Sequence, residues 1–232
     1  MDNSLIDYLS QFVSTRRRDL FNRIVQMRTR YLTVAIEDVY QPHNASAVMR
    51  TCDCLGVQDA HIIENYNRFE ANPEVALGAS NWLTIHKYNS PGDNTLEAVK
   101  ELKRNNYRIV ATTPHHSEVM LDDFDLEKGK AAFFFGTEKE GLSDSAMKHA
   151  DEFLRIPMRG FTESFNISVS AAIILYRLTE ILRSSEIEWQ LTQEEREGVL
   201  LQWLRNTIKS SDLLEKKFYE KKQGDTNKEK DF

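Results

Sequence analysis

Two loops that combine glycine with polar side chains each follow a short apolar segment in the second half of the chain. The first loop, residues 136–143 (GTEKEGLS), follows the apolar segment 133–135, and the second, residues 158–166 (MRGFTESFN), follows residues 153–157. Short apolar segments bounded by turn-forming residues are typical of buried strands. In open α/β sheets, ligands bind outside the carboxyl ends of the strands. We therefore expect the chemistry of this protein where these two loops meet.

The elements around these loops alternate between strand and helix. Strands are predicted over residues 31–36, 60–64, 82–88, 107–112, 131–135 and 153–157. Helices are predicted over residues 4–29, 95–104, 143–150 and 167–183. A further helix begins at a cap provided by Asn44 or Ser46 and ends near Gly56. This alternation predicts an α/β fold with a mostly parallel sheet and helices on both faces.

The composition is that of a globular protein, with 41% hydrophobic and 28% charged residues in a chain of 232. No run of 18 apolar residues is present, so we expect no membrane span. The first residues, MDNS, lack the apolar core of a signal peptide, and we expect a cytoplasmic protein. We predict a helical extension over residues 1–30, a domain over 31–183, a helical extension over 184–220 and a disordered tail over 221–232.

Several common catalytic and nucleotide-binding motifs are absent from the sequence. It contains no G-x-x-x-x-G-K-[ST] phosphate loop, no G-x-G-x-x-G fingerprint and no G-x-S-x-G elbow. The six histidines are scattered, and the only cysteines are Cys52 and Cys54, so we expect no metal site. Three loops remain as candidates, at residues 41–50, 136–143 and 158–170.

A basic segment near the N-terminus contrasts with the net charge of −6. Six arginines lie between residues 14 and 31, against a single aspartate: Arg16, Arg17, Arg18, Arg23, Arg28 and Arg30. Clustered arginines are typical of a surface that binds nucleic-acid phosphates. Charge alone is equally compatible with the solvated face of an amphipathic helix.

The three candidate loops resemble, in order and spacing, the three motifs of the SpoU branch of the SPOUT methyltransferases. The first motif is similar to residues 42–53 (PHNASAVMRTCD), the second to residues 136–143, and the third to residues 156–172. The resemblance covers roughly residues 31–183. Within the branch, the chain is similar to the TrmH-type enzymes that methylate the ribose 2′-hydroxyl of guanosine 18 in the D-loop of tRNA.

The resemblance implies properties that no periodicity in the sequence could show. It implies a trefoil knot in the C-terminal part of the sheet, S-adenosylmethionine bound inside the knot, and a homodimer. It implies methyl transfer to tRNA, a reaction that needs no metal. Two alternatives stay open: a ribosomal RNA ribose methyltransferase, and a non-catalytic RNA-binding module on the same scaffold. The first strand is predicted near Tyr31, after only a helix, which favours the tRNA enzyme over relatives with a large N-terminal RNA-binding domain.

Five residues carry the implied catalytic site. The resemblance makes Arg50 the group that activates the ribose hydroxyl, although a guanidinium is protonated at neutral pH and is better suited to orienting the hydroxyl and a phosphate. Asn44 would hold Arg50 or a dimer contact, or else cap a helix. Glu138 would pair a cation and fix its loop, or stay exposed. Ser164 and Asn166 would bind the ribose, a phosphate or Arg50, or cap the helix that follows.

Four residues match cofactor-binding positions of the family: Thr112, Gly136, Ile156 and Phe165. We expect them to act mainly through their backbones. The chain departs from the family pattern at Glu163, where many relatives have an uncharged side chain, and at Phe165, which replaces a common leucine. Both departures lie in the cofactor loop and could give the adenine pocket a different shape. A non-catalytic module would not need the intact catalytic set, nor would it have to bind S-adenosylmethionine.

Overall fold

The computed structural model describes residues 3–68, 78–114 and 119–228, which form two compact units. The larger unit, Thr29–Trp189, contains the sheet, and the smaller unit combines Met1–Arg28 with Gln190–Phe232. Among the described residues, no helix is long and apolar enough to cross a membrane.

The larger unit is built on a parallel sheet. Its strands are β1 (Leu32–Glu37), β2 (Asp59–Ile63), β3 (Thr84–Tyr88), β4 (Arg108–Thr112), β5 (Val119–Met120), β6 (Ala131–Phe135) and β7 (Glu152–Arg155). The described strands lie in the order β3-β2-β1-β6-β4-β7-β5, and every described pair is parallel. The carboxyl ends of β1, β6, β4 and β7 therefore share one edge of the sheet.

Helices cover both faces of the sheet, as predicted. In the larger unit they are α3 (Pro42–Leu55), α4 (Asn94–Arg104), α5 (Asp144–His149) and α6 (Ile167–Ser184). Phe133 and Phe135 of β6 pack with α3 and α6, whereas Phe134 packs on the opposite face with α4 and α5. All three rings are buried. A parallel strand that is covered on both faces needs a continuous apolar sequence, and β6 (AAFFF) has one.

The smaller unit is helical and differs from the prediction in two places. It contains α1 (Asn3–Ser10), α2 (Thr15–Val25), α7 (Gln193–Thr207) and α8 (Ser211–Lys228). The single helix predicted over residues 4–29 is wrong, because Ser14 has extended backbone and caps α2 by accepting a hydrogen bond from the Arg17 amide. Of the predicted disordered tail over residues 221–232, residues 221–228 belong to α8 and residues 229–232 lie outside the described residues.

One end of α3 is capped as the sequence predicts and the other is not. Gly56 ends the helix in a left-handed conformation with φ of 77°, as predicted. The N-cap is Gln41, followed by Pro42 at the first helical position, so the expectation that Asn44 or Ser46 caps this helix is wrong. The Asn44 side chain is therefore available for a different contact.

Candidate functional site

The three motif loops line or border a cavity of about 500 Å³ at the carboxyl ends of β6, β4 and β7. Its walls come from the segment after β4, the loop after β6 and the loop that leads from β7 into α6. All four predicted cofactor positions line it: Thr112, Gly136, Ile156 and Phe165. Glu138, Ser164 and Asn166 of the predicted catalytic set line it as well. The predicted meeting of the two glycine-bearing loops is confirmed.

A carboxylate joins the three motifs beside this cavity. Oε1 of Glu138 accepts a hydrogen bond of 2.7 Å from the side-chain amide of Asn44 and another of 2.7 Å from that of Asn166. The Asn166 amide also lies 3.2 Å from Oδ1 of Asn44. One residue from each motif thus takes part in a single polar junction, which we call the motif junction.

Asn166 has two roles at once. Its Oδ1 accepts hydrogen bonds from the backbone amide of Ser168, at 2.9 Å, and from the Ser168 hydroxyl, at 2.6 Å, so it caps α6. Its amide donates to the motif junction. The capping interpretation is therefore confirmed for this residue, whereas its predicted hydrogen bond to the ribose, a phosphate or Arg50 stays a prediction. The start of α6 is fixed relative to Glu138.

The loop after β6 is held in a tight conformation. The backbones of Thr137 and Gly141 exchange two hydrogen bonds, and Gly141 has a φ of 74°. A Cβ atom added to Gly136 would lie 2.1 Å from the carbonyl oxygen of Gly141, which is far inside contact distance. Only glycine fits at position 136, because a side chain there would occupy the space of the Gly141 backbone.

Glu37 anchors the far end of the same loop and was missed by sequence analysis. This buried carboxylate, at the end of β1, accepts hydrogen bonds from the backbone amide and the hydroxyl of Ser143, at 2.8 and 2.7 Å. It also accepts one of 2.5 Å from the Thr95 hydroxyl on α4. The only signal in the sequence is a carboxylate at the end of an apolar strand.

Arg50 is exposed on α3 and is not one of the residues that line the cavity. The structure does not bring it into the motif junction, although Asn44 lies on the same helix. Among the described residues it forms no hydrogen bond or ion pair. Its charged group is therefore exposed and has no partner among those residues. Ser164 is likewise exposed, at the wall of the cavity.

The basic segment separates into exposed and engaged arginines. Arg16, Arg17, Arg18 and Arg23 are exposed on α2. Arg28 is buried, with its guanidinium 5.3 Å from the centre of the Trp203 ring.

Arg30 donates to the carboxylate of Asp59 at 3.0 and 3.1 Å. Burial opposes ionisation of that carboxyl, but its contacts with His86 and Arg30 are stronger and lower the pKa of Asp59. This carboxylate therefore remains charged and keeps Arg30 engaged. For these reasons we remove Arg28 and Arg30 from the predicted RNA-binding set.

Comparison with known proteins identifies the family. The sequence pattern of the SpoU rRNA Methylase family matches residues 31–176, more than half of the chain. The chain belongs to this family. The resemblance drawn from the three motifs is thereby confirmed.

The relatives agree with this assignment. A tRNA (guanosine(18)-2′-O)-methyltransferase of Borreliella burgdorferi is 39% identical over 210 residues, which are 90% of this chain and 94% of the relative. One of Thermus thermophilus is 32% identical over 191 residues, which are 82% of this chain and 96% of the relative. The crystal structure of a TrmH/SpoU tRNA modifying enzyme from A. aeolicus superimposes with a TM-score of 0.73 at 27% identity, and covers 83% of this chain and 97% of that one.

The position of Gly136 gives a direct test of the cavity. Gly136→Ala should weaken binding of S-adenosylmethionine by about tenfold or more, because 1.4 kcal/mol of loop distortion already gives that factor. Isothermal titration calorimetry measures the affinity. Gly160→Ala is the matched control, because a Cβ atom there meets nothing within 4 Å. Equal affinities of the two variants would contradict the assignment of the cavity.

Proposed function

We propose that this protein transfers a methyl group from S-adenosylmethionine to the ribose 2′-hydroxyl of guanosine 18 in tRNA. The observation that carries the proposal is the motif junction, in which Asn44, Glu138 and Asn166 meet beside the cavity. Family membership supports the reaction, and relatives with this activity in their names match along nearly their whole length. The same relatives favour tRNA over ribosomal RNA as the substrate.

The cavity suits S-adenosylmethionine in size and chemistry. A volume of about 500 Å³ is in the range of small-molecule sites. Its wall includes the bare backbone at Gly136 together with apolar side chains such as Ile156 and Leu154. Backbone groups near Gly136 and Ile156 would hold the polar parts of the cofactor, and the apolar side chains would cover its adenine. The bound cofactor supplies a methyl group on a positively charged sulfur, which needs no further activation.

The protein then has to align and desolvate the attacking hydroxyl. In the reaction a bond would form between the 2′-oxygen and the methyl carbon, and the carbon–sulfur bond would break with its electron pair left on the sulfur of the product thioether. The hydroxyl proton would pass to solvent water. Arg50 would orient the hydroxyl and a neighbouring phosphate through charge-assisted hydrogen bonds. Asn44, Glu138 and Asn166 would fix the loops so that the ribose meets the methyl donor. Ser164, on the cavity wall, would contribute a further hydrogen bond to the phosphate or to Arg50.

The finer structural features of the family belong to the same proposal. We propose that the chain from β6 to α6 is threaded as a trefoil knot, which is supported by family membership and by the contact between Glu138 and Asn166. Residues 31–183 would form the methyltransferase domain. The helices before and after it would bind tRNA, with Lys216, Lys217, Lys221 and Lys222 of α8 assisting the α2 arginines. The protein would act in the cytoplasm, where tRNA is modified.

We further propose that the protein works as a two-fold homodimer. Val169 and Tyr176 on α6 are 43% and 60% exposed, large values for apolar side chains next to the site. Sedimentation at micromolar concentration should give about twice the monomer mass of 27.0 kDa. Val169→Asp together with Tyr176→Glu should shift the protein toward monomer and reduce turnover. A wild-type protein that is monomeric and fully active would contradict the proposal.

The role of Arg50 is tested by Arg50→Ala. We expect turnover to fall by about a hundredfold or more, as on loss of a donor in the reacting centre, while affinity for S-adenosylmethionine stays near wild type. A transfer assay with labelled S-adenosylmethionine and tRNA transcript measures turnover. Arg104→Ala, an exposed arginine at the end of α4, is the control. Near-normal turnover of Arg50→Ala would refute its assigned role.

The contribution of α2 is tested by changing Arg16, Arg17 and Arg18 together to Ala. Affinity for tRNA should fall, and the slope of log affinity against log salt should flatten by about 2 to 3, because each neutralised phosphate contributes nearly one. Cofactor affinity should not change. The charge-matched control replaces Lys87, Lys100 and Arg104, all exposed on β3 and α4. An unchanged slope in the α2 variant would place the RNA-binding surface elsewhere.

A further inference from the structure

A rigid turn at the end of β2 is built around the carboxylate of Asp38, the residue that follows β1. Oδ1 of Asp38 accepts hydrogen bonds from the backbone amides of Asn65, Tyr66 and Asn67, at 2.7, 2.8 and 3.2 Å. Oδ2 accepts from the side-chain amide of Asn65 at 3.1 Å, and the side chain of Asn67 donates to the Asp38 carbonyl at 2.8 Å. Five hydrogen bonds thus join one residue to a turn of three.

The backbone at Asp38 is itself unusual. Its φ is 49°, in the left-handed region that aspartate tolerates better than most residues. The residue is buried, and its backbone amide donates a hydrogen bond to the Ile63 carbonyl at 2.9 Å. Asn65 is also tied to α4, because its Oδ1 accepts from the Asn94 amide at 3.0 Å. Such local strain persists only where the surroundings determine the conformation.

Two tyrosines that lie close to Asp38 or to this turn in the sequence are exposed to solvent. Tyr66, in the turn, is 91% exposed, although its backbone amide is fixed by Asp38. Tyr40 is 80% exposed and lies two residues after Asp38, beyond Val39, which packs against the core. Both rings are mostly exposed, and the Tyr66 ring extends from a backbone that Asp38 holds in place. A ring on a backbone that is already fixed can meet a partner without a large ordering cost.

The tyrosines lie close in the chain to the proposed catalytic residues. Tyr40 immediately precedes the segment that begins α3 and carries Asn44 and Arg50. Both rings follow strands that end at the same edge of the sheet as the motif junction. Arg68, two residues after Tyr66, is exposed, and Arg50 is exposed as well. Exposed aromatic rings and exposed arginines together are the combination that binds unstacked bases and their phosphates.

We propose that Tyr40 and Tyr66 form a stacking surface for an unpaired base of the tRNA loop, next to the ribose that is methylated. The inference rests on the proposed function and deepens it, because it assigns residues that select an open loop over paired RNA. A nucleotide in a continuous helix keeps its base stacked and paired, whereas a nucleotide in a loop can place its base on an aromatic ring. A second copy of this chain is the other possible occupant of the surface, and the experiment separates the two.

Tyr40→Ala and Tyr66→Ala are measured in steady-state methyl transfer and in direct binding of tRNA. Stacking on an aromatic ring contributes about 1–3 kcal/mol per base, so each change should lower kcat/KM for tRNA by about 5- to 150-fold. Affinity for S-adenosylmethionine and the melting temperature should stay at wild-type values, because both rings are exposed. Tyr→Phe at the same positions should recover most of the loss, and Tyr→Leu should not, because leucine has no π-face.

A tRNA series with one abasic nucleotide at each loop position identifies the base. At the stacked position, an Ala variant tested with the abasic tRNA should lose no more tRNA affinity than either change causes alone. Additive losses at every position, or Ala variants with wild-type tRNA affinity, would overturn the inference. Conversion of the Ala variants to monomers in sedimentation would also overturn it, because the rings would then cover a second copy. A wild-type protein that binds tRNA but methylates none would refute the proposed function instead, and the binding series would still test the tyrosines.

Discussion

The hydrogen bonds from Asn44 and Asn166 to Glu138 are the interaction on which the site depends. The three residues are far apart in the sequence, and each comes from a different motif. A carboxylate that accepts two amide donors at 2.7 Å fixes the beginning of α3, the loop after β6 and the beginning of α6 relative to one another. Loss of Glu138 would leave the buried Asn44 side chain without the partner of its amide, which is costly for a buried polar group. The cavity wall can keep its shape only while this junction is intact.

The sheet makes the junction possible by bringing the loops to one edge. Because the strands are parallel, β1, β6, β4 and β7 all deliver their following loops to the same side. Two carboxylates at the end of β1 each hold a different loop at this edge. Glu37 holds Ser143, at the end of the loop after β6, and Asp38 holds the turn that contains Tyr66. One strand end thus supports both the cofactor side and the proposed RNA side of the site.

Local sequence determines much of this fold. The apolar run of β6 predicts its bounds, and Gly56 predicts the end of α3, because each depends on neighbouring residues alone. The three motifs also predict which loops meet. What could not be predicted depends on partners distant in the chain: Glu37 with Ser143, and the buried Arg28 under Trp203. Where a residue can serve two local roles, contacts with distant residues decide which role it takes.

Asn44 illustrates this limit. An asparagine near the beginning of a helix is a good candidate N-cap, yet here Gln41 and Pro42 begin the helix and the Asn44 amide binds Glu138. The break between α1 and α2 has a local cause instead. Apolar residues continue at helical spacing on both sides of Ser14, but Ser14 adopts an extended backbone and caps α2.

Methylation of the ribose of guanosine 18 in tRNA can be measured in the cell. Ribose methylation is mapped in total tRNA and ribosomal RNA from cells with and without the protein. We expect methylation at guanosine 18 of tRNA to disappear without the protein, to return on complementation with the wild type, and not to return with a Glu138→Ala variant. Unchanged methylation at that position, or loss confined to ribosomal RNA, would contradict this expectation.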